Sequence, residues 1–277
     1  MTAMNKIALA PTTLPDTKPL DYIDAAIAGG YDAVGLRLVK SPGLPYHPVL
    51  GDAPLIAEMK RRLAGSGLQV IDMLSCYLQP DTKVADFEPY LALGAELGAS
   101  HVLTMGTDAD WSRLVDNFAK FCDLAARYRL VATLEPAVHR PLASIKQSVQ
   151  LARQSGRDNV AVCVDPLNFI RAGEKPDDLR AIDPKLLPYA QVSDGLLGPG
   201  EPDPALLGRM GPNQRRLIGE GVIPMTEILD ALPAGIPLSI ELPNQTDRVY
   251  AAGDWARVTV ANVRGFLSGY YAAKARK

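Results

Sequence analysis

Apolar residues along the chain fall into short continuous runs, separated by stretches in which apolar positions recur three or four apart. The runs read as buried strands and the spaced stretches as helices. The first run, residues 6–10, stops at Pro11. Residues 21–27 place Ile23 and Ile27 four apart and end at Gly29-Gly30, a helix with its glycine stop. Residues 33–38 form the second strand, followed by a Pro/Gly-rich loop over 41–51 and a helix over 53–64. The third strand covers 69–74, a helix spans 87–97 before Gly98, and the fourth strand covers 101–106. A long helix over 111–128 lines up Leu114, Phe118, Phe121 and Ala125. The alternation continues with strands at 131–136, 160–165, 189–194 and 237–241. Helices are predicted at 144–154, 177–182, 225–232 and 255–270, and a Gly/Pro-rich loop at 195–221.

Strands that alternate with helices imply a parallel sheet. About eight such units in 277 residues, with no break in composition, imply a single α/β domain over 1–277, a closed (β/α)₈ TIM barrel. The rival is an open doubly wound sheet, which normally carries a glycine-rich phosphate turn after its first strand. Ala10-Pro11-Thr12-Thr13 has no glycine, and neither GxGxxG nor GxxxxGK[ST] occurs in the chain.

Composition narrows the class without identifying a chemistry. The hydrophobic share is 47% and the net charge −2, with acids and bases dispersed. No basic stripe with interleaved aromatics points to nucleic acid. No apolar run approaches the roughly 20 residues of a membrane span. Cys76, Cys122 and Cys163 are scattered in apolar surroundings, as buried thiols of a reducing compartment would be, so the cytoplasm is the expected location.

The candidate chemistry lies at the strand ends. Leu134-Glu135-Pro136 closes the fifth strand, and Ile240-Glu241-Leu242-Pro243 closes the eighth in the same manner. A buried strand gains nothing from a terminal carboxylate, which is costly to desolvate unpaired. A shared cation at the two tips is one explanation, and arginines on neighbouring loops are the other. In a barrel all strand C-termini converge on the face that carries the site. There the fifth to eighth strands deliver Glu135, Asp165, Gln191 and Glu241. An all-oxygen set of this kind suits Mg²⁺ or Mn²⁺, with Co²⁺ also accommodated, and is a poor match for zinc.

These pieces, with Gln191-Val192-Ser193-Asp194 and Ile218-Gly219-Glu220-Gly221-Val222-Ile223-Pro224, resemble the xylose isomerase-like TIM-barrel family of sugar isomerases, epimerases and related lyases. The resemblance implies one divalent metal held by Glu135, Asp165, Gln191 and Glu241. It also implies a small keto-sugar or polyol substrate, and a homo-oligomer paired through the barrel helices. Two positions depart from the common pattern. Asn168 stands where many members have a His three residues after the Asp, and Gln191 stands where epimerases usually have His. Gln at that position resembles the dehydratases of 3-dehydroshikimate and keto-inositols.

Isomerisation, epimerisation and elimination at a keto-polyol all begin with removal of a proton beside a carbonyl. Glu135 and Glu241 are the expected acid/base pair, and His139, four residues after Glu135, is the candidate a dehydratase would use. Arg37, Asn168, Asp194 and Arg216 are the expected substrate contacts. Of Arg215 and Arg216, one is expected to bind a substrate hydroxyl, carboxylate or phosphate and the other to form a surface ion pair. Three functions stand at this level. The first is an isomerase or epimerase acting through an enediolate, the second a metal-dependent dehydratase, and the third a barrel that keeps the pocket but has lost catalysis.

Overall fold

The computed structural model describes residues 4–196, 215–243 and 250–276. Eight parallel strands form one sheet: β1 (Ile7–Leu9), β2 (Ala33–Arg37), β3 (Gln69–Leu78), β4 (His101–Gly106), β5 (Val131–Leu134), β6 (Val160–Val162), β7 (Ala190–Val192) and β8 (Leu238–Ile240). Their order in space is β6-β5-β4-β3-β2-β1-β8-β7. A parallel bridge between Val164 and Ala190 joins the two ends of this order, and the Gln191 N–H donates to Val164 O at 2.9 Å. The sheet therefore curls onto itself as a TIM barrel, with the β6–β7 seam its thinnest joint.

Helices cover the outside: α1 (Pro19–Gly29), α2 (Ala53–Ser66), α3 (Glu88–Glu96), α4 (Trp111–Arg127), α5 (Ile145–Ser155), α6 (Pro166–Arg171), α7 (Pro176–Arg180), α8 (Met225–Ala231) and α9 (Ala252–Lys274). Local chemistry sets their ends. Asp52, Asp110 and Ser144 accept the backbone N–H of Leu55, Arg113 and Gln147, the side-chain caps that helix N-termini require. On α4, Leu114, Phe118, Phe121 and Ala125 are all buried, as their spacing predicts. The three cysteines are free and buried. No helix among the described residues is long and apolar enough to cross a membrane.

Three features differ from the sequence expectation. β3 runs to Leu78 rather than 74, because after a register shift Cys76, Tyr77 and Leu78 find partners in Thr104, Met105 and Gly106 of β4. The ladders of β5 to β8 end one to three residues short of the predicted strands, so Glu135, Asp165 and Glu241 stand just beyond the last ladder pairs. α6 was not expected at all. Asp165 caps it by accepting the Leu167 N–H at 3.0 Å, and Pro166 occupies its first turn, a start signal hidden where the strand was read through. Most of the predicted 195–221 loop lies outside the described residues. Its two ends pair antiparallel, Asp194–Gly195 against Arg215–Arg216.

Candidate metal and substrate site

Backbone hydrogen bonds fix each ligand candidate at the barrel mouth. The Glu135 N–H donates to Thr104 O at 3.1 Å and the Glu241 N–H to Val192 O at 3.2 Å, while Asp165 is held as the α6 cap. Gln191 sits on β7 opposite Ser239. The three carboxylates each bring an oxygen to within 4.8 Å of the others. Glu135, Asp165 and Gln191 are buried, at 6%, 1% and 3% exposure. The four expected ligands are thus brought to one place.

Acceptors crowded away from water call for a cation. One is supplied by the chain itself. Arg215 Nη1 donates to Asp165 Oδ1 at 3.2 Å and to Ser193 Oγ at 2.9 Å, and Nη2 donates to Asp165 Oδ2 at 2.6 Å. Nη2 also lies 3.0 Å from Glu241 Oε2, an ion pair whose geometry falls short of a hydrogen bond, so that oxygen has no donor of its own. Burial alone would lower the Arg215 pKa, but Asp165 and Glu241 outweigh it and hold the guanidinium above its ordinary range. Gln191 Oε1 is buried with no hydrogen-bond partner. A buried amide oxygen without a donor, beside clustered carboxylates, fits a hard divalent cation. Asn168 Nδ2 donates to Asp165 Oδ2 at 2.7 Å, so both Asp165 oxygens accept two donors each.

A cleft of about 600 Å³ opens over this cluster, lined among others by Thr12, Arg37, Tyr77, Met105, His139 and Arg140 together with Glu135, Gln191, Arg215 and Glu241. Burial, followed by repulsion from Glu241, raises the Glu135 carboxyl well above the usual range. His139 stands exposed at the rim. Desolvation, with Arg140 and Arg171 nearby, keeps its imidazole below the ordinary value and so neutral at pH 7. Beneath the ligands lies a polar layer in which Tyr189 Oη donates to Asp72 Oδ2 at 2.8 Å. Burial, followed by repulsion from Glu241, lifts the Asp72 carboxyl to about 7, against the lowering effect of the Tyr189 bond.

Two expected substrate contacts do not line the cleft. Asp194 is not among the cleft-lining residues. Its Oδ1 accepts the N–H of Gly195 and Ile223, and its Oδ2 that of Gly219, so it anchors the loop that returns to the barrel. Arg216 is also absent from the lining, and its neighbour Arg215 points inward instead. Two adjacent residues of one ribbon face opposite ways, and the sequence does not say which faces in. Tyr77 lines the cleft, whereas Trp111 Nε1 donates to Gln154 Oε1 on the outside. Thr12 and Arg140 were missed: a threonine after strand one and an arginine in a loop carry no signal of their own.

The eight parallel strands and the acidic mouth define a TIM barrel with its candidate site on the usual face. Residues 23–264 match the family model for the xylose isomerase-like TIM barrel, and the chain belongs to that family. No curated protein matches it by sequence. Solved structures show the same fold at low identity. The IOLI protein with a bound zinc atom is 17% identical at TM-score 0.78, with 96% of this chain and 99% of that one covered. The probable 3-DHS dehydratase AsbF from Bacillus anthracis is 14% identical at 0.73, covering 94% and 98%. An L-ribulose 3-epimerase is 16% identical at 0.71, covering 98% and 97%. The chain spans 42% of the length of a xylose isomerase-like TIM barrel/4-hydroxyphenylpyruvate dioxygenase fusion protein, with 94% of this chain covered, 19% identity and TM-score 0.78.

Proposed function

We propose that the protein is a divalent-cation-dependent isomerase or epimerase of a small keto-sugar or polyol, acting through an enediolate. One observation carries the reading: three carboxylates gather within 4.8 Å at the floor of the cleft, beside the orphaned Gln191 Oε1. Glu135, Asp165, Gln191 and Glu241 would hold the ion, for which Mn²⁺ or Mg²⁺ is proposed. Such an ion, when bound, polarises a carbonyl and offsets charge developing on oxygen. Glu135, buried where the cleft meets the cluster, takes the proton from the carbon beside the carbonyl. Glu241 faces it across the cluster and supplies or removes the proton on the other side. Glu135→Gln keeps the shape and removes the base. On the best keto-sugar substrate its turnover should fall by roughly 10²–10⁴-fold, and a wild-type rate would exclude Glu135 from proton transfer.

A second reading is a dehydratase, favoured by Gln191 in place of histidine and by the neutral His139 at the rim of the cleft. Product analysis separates the two, since only elimination yields an enone absorbing in the near ultraviolet. The catalytically silent barrel is favoured by Arg215, which already gives Asp165 and Glu241 a cation without a metal ion. Elemental analysis of gently purified protein bears on it: about one Mn or Mg per chain is the enzyme's expected content.

A further inference from the structure

Two arginines drawn into the fold are paired with acids: Arg62 meets Glu58 and Asp24, and Arg215 meets Asp165. Two further arginines, both lining the cleft, are not. Arg37, half-buried at the end of β2, makes one hydrogen bond, Nη1 to Pro45 O at 3.3 Å. Its Nη2 is buried with no partner. Arg140, half-buried in the loop after β5, lies with its guanidinium carbon 5.6 Å from the Tyr77 ring centre and Nη1 2.6 Å from the Met105 sulfur. Neither contact neutralises a charge. Among the described residues neither arginine has a carboxylate within ion-pair distance.

The same wall carries another orphan. Thr12 follows β1, whose neighbour in the sheet is β2, and its Oγ1 is buried without a partner. Arg37, Thr12 and Arg140 all line the one cleft. Four arginines face that space against two glutamates, with Asp165 just behind, and a divalent ion at the cluster would add two further positive charges. A desolvated guanidinium left unmatched is costly, and a neutral hydroxyl does not cancel its charge. An anionic oxygen does, through charge-assisted hydrogen bonds that a planar guanidinium forms best with carboxylate or phosphate.

We propose that the ligand of this cleft carries an anionic group, a carboxylate or a phosphate, and that Arg37, with Thr12 beside it and Arg140 across Tyr77, is the group that reads it. This rests on the cleft being the substrate site and names the substrate class: an acidic keto-polyol rather than a neutral sugar. The acid end docks on the β2 side, and the rest of the molecule reaches toward Glu135 and Glu241.

The test uses the full-length, chelator-treated protein and three probes of similar length: D-gluconate, D-glucitol 6-phosphate and neutral D-glucitol. Binding is read by calorimetry. At least one anion should bind ten-fold or more tightly than glucitol, and the better of the two tells carboxylate from phosphate. Arg37→Met should erase that advantage while leaving glucitol binding where it was, Arg37→Lys should keep part of it, and Arg140→Met should reduce it by less. The proposal is overturned if glucitol binds as well as both anions, if neither anion binds, or if folded Arg37→Met retains the preference. The wild-type comparison needs no variant, so a misfolded Arg37→Met leaves it decisive. No turnover or metal is involved, so this result and that of Glu135→Gln fail independently.

Discussion

Arg215 is the residue on which the acidic cluster depends. Its guanidinium takes both oxygens of Asp165 and approaches Glu241, which is the place a divalent ion would occupy among the same acceptors. Removing it leaves several buried carboxylates without a counter-charge. Arg215→Met should therefore lower unfolding stability, measured in urea without metal, by roughly 3–5 kcal/mol, as for other broken buried pairs. Because no guanidinium then has to leave the Asp165 oxygens, the variant should also bind Mn²⁺ more tightly than wild type by calorimetry. Weaker binding would mean that Arg215 orients the ligands rather than competing with the ion. Glu135, Asp165 and Glu241 were legible in the sequence because a carboxylate at the tip of an apolar run has no packing reason to be there. Arg215 was legible only as one of two neighbouring arginines.

At the scale of elements, the returning loop is built around Asp194. Its carboxylate collects three backbone N–H groups, and Gly219-Glu220-Gly221 wraps over it. A Cβ on Gly221 would lie 2.3 Å from Asp194 Oδ1 and 2.5 Å from Gly195 O, so only glycine lets the chain approach this closely. The turn abuts the ribbon that carries Arg215. Gly221→Ala should cost about 1–3 kcal/mol, the usual range for an overpacked site, and should weaken Mn²⁺ binding as well, by shifting the ribbon. A loss of stability with unchanged Mn²⁺ affinity would show that the turn does not position the site. The sequence marks these glycines only as part of a Gly/Pro-rich loop. What the glycine faces is an aspartate 27 positions earlier in the chain, which no local pattern specifies. The α6 helix shows the opposite case. Its cap and proline were legible, and reading the apolar run through to Asp165 concealed them.

The whole molecule records the cost of burying acid inside the barrel. Asp72 is 3% exposed, with Oδ1 unpartnered, and its carboxyl is lifted to about 7. An unfolded chain returns it to about 4. Between those values the folded state binds the extra proton, so stability falls as pH rises through the window and levels off above about 7. Asp72→Asn keeps an acceptor for Tyr189 Oη and has no proton to lose. Urea unfolding across pH should show the variant overtaking wild type by a few kcal/mol as pH rises through that window, with a constant gap above it. A gap independent of pH would place the titration elsewhere.

The rhythm of strands and helices, the barrel and the tip carboxylates follow from the sequence by itself, because hydrophobic period and turn residues act locally and eight strand–helix units allow few closures. The directions of Arg215 and Arg216, the employment of Asp194 and the absence of an ion-pair partner for Arg37 and Arg140 were decided only by tertiary structure. Whether a polar side chain is satisfied depends on what distant strands bring to it, and burial, which sets the cost of leaving it unsatisfied, is a property of the packed molecule.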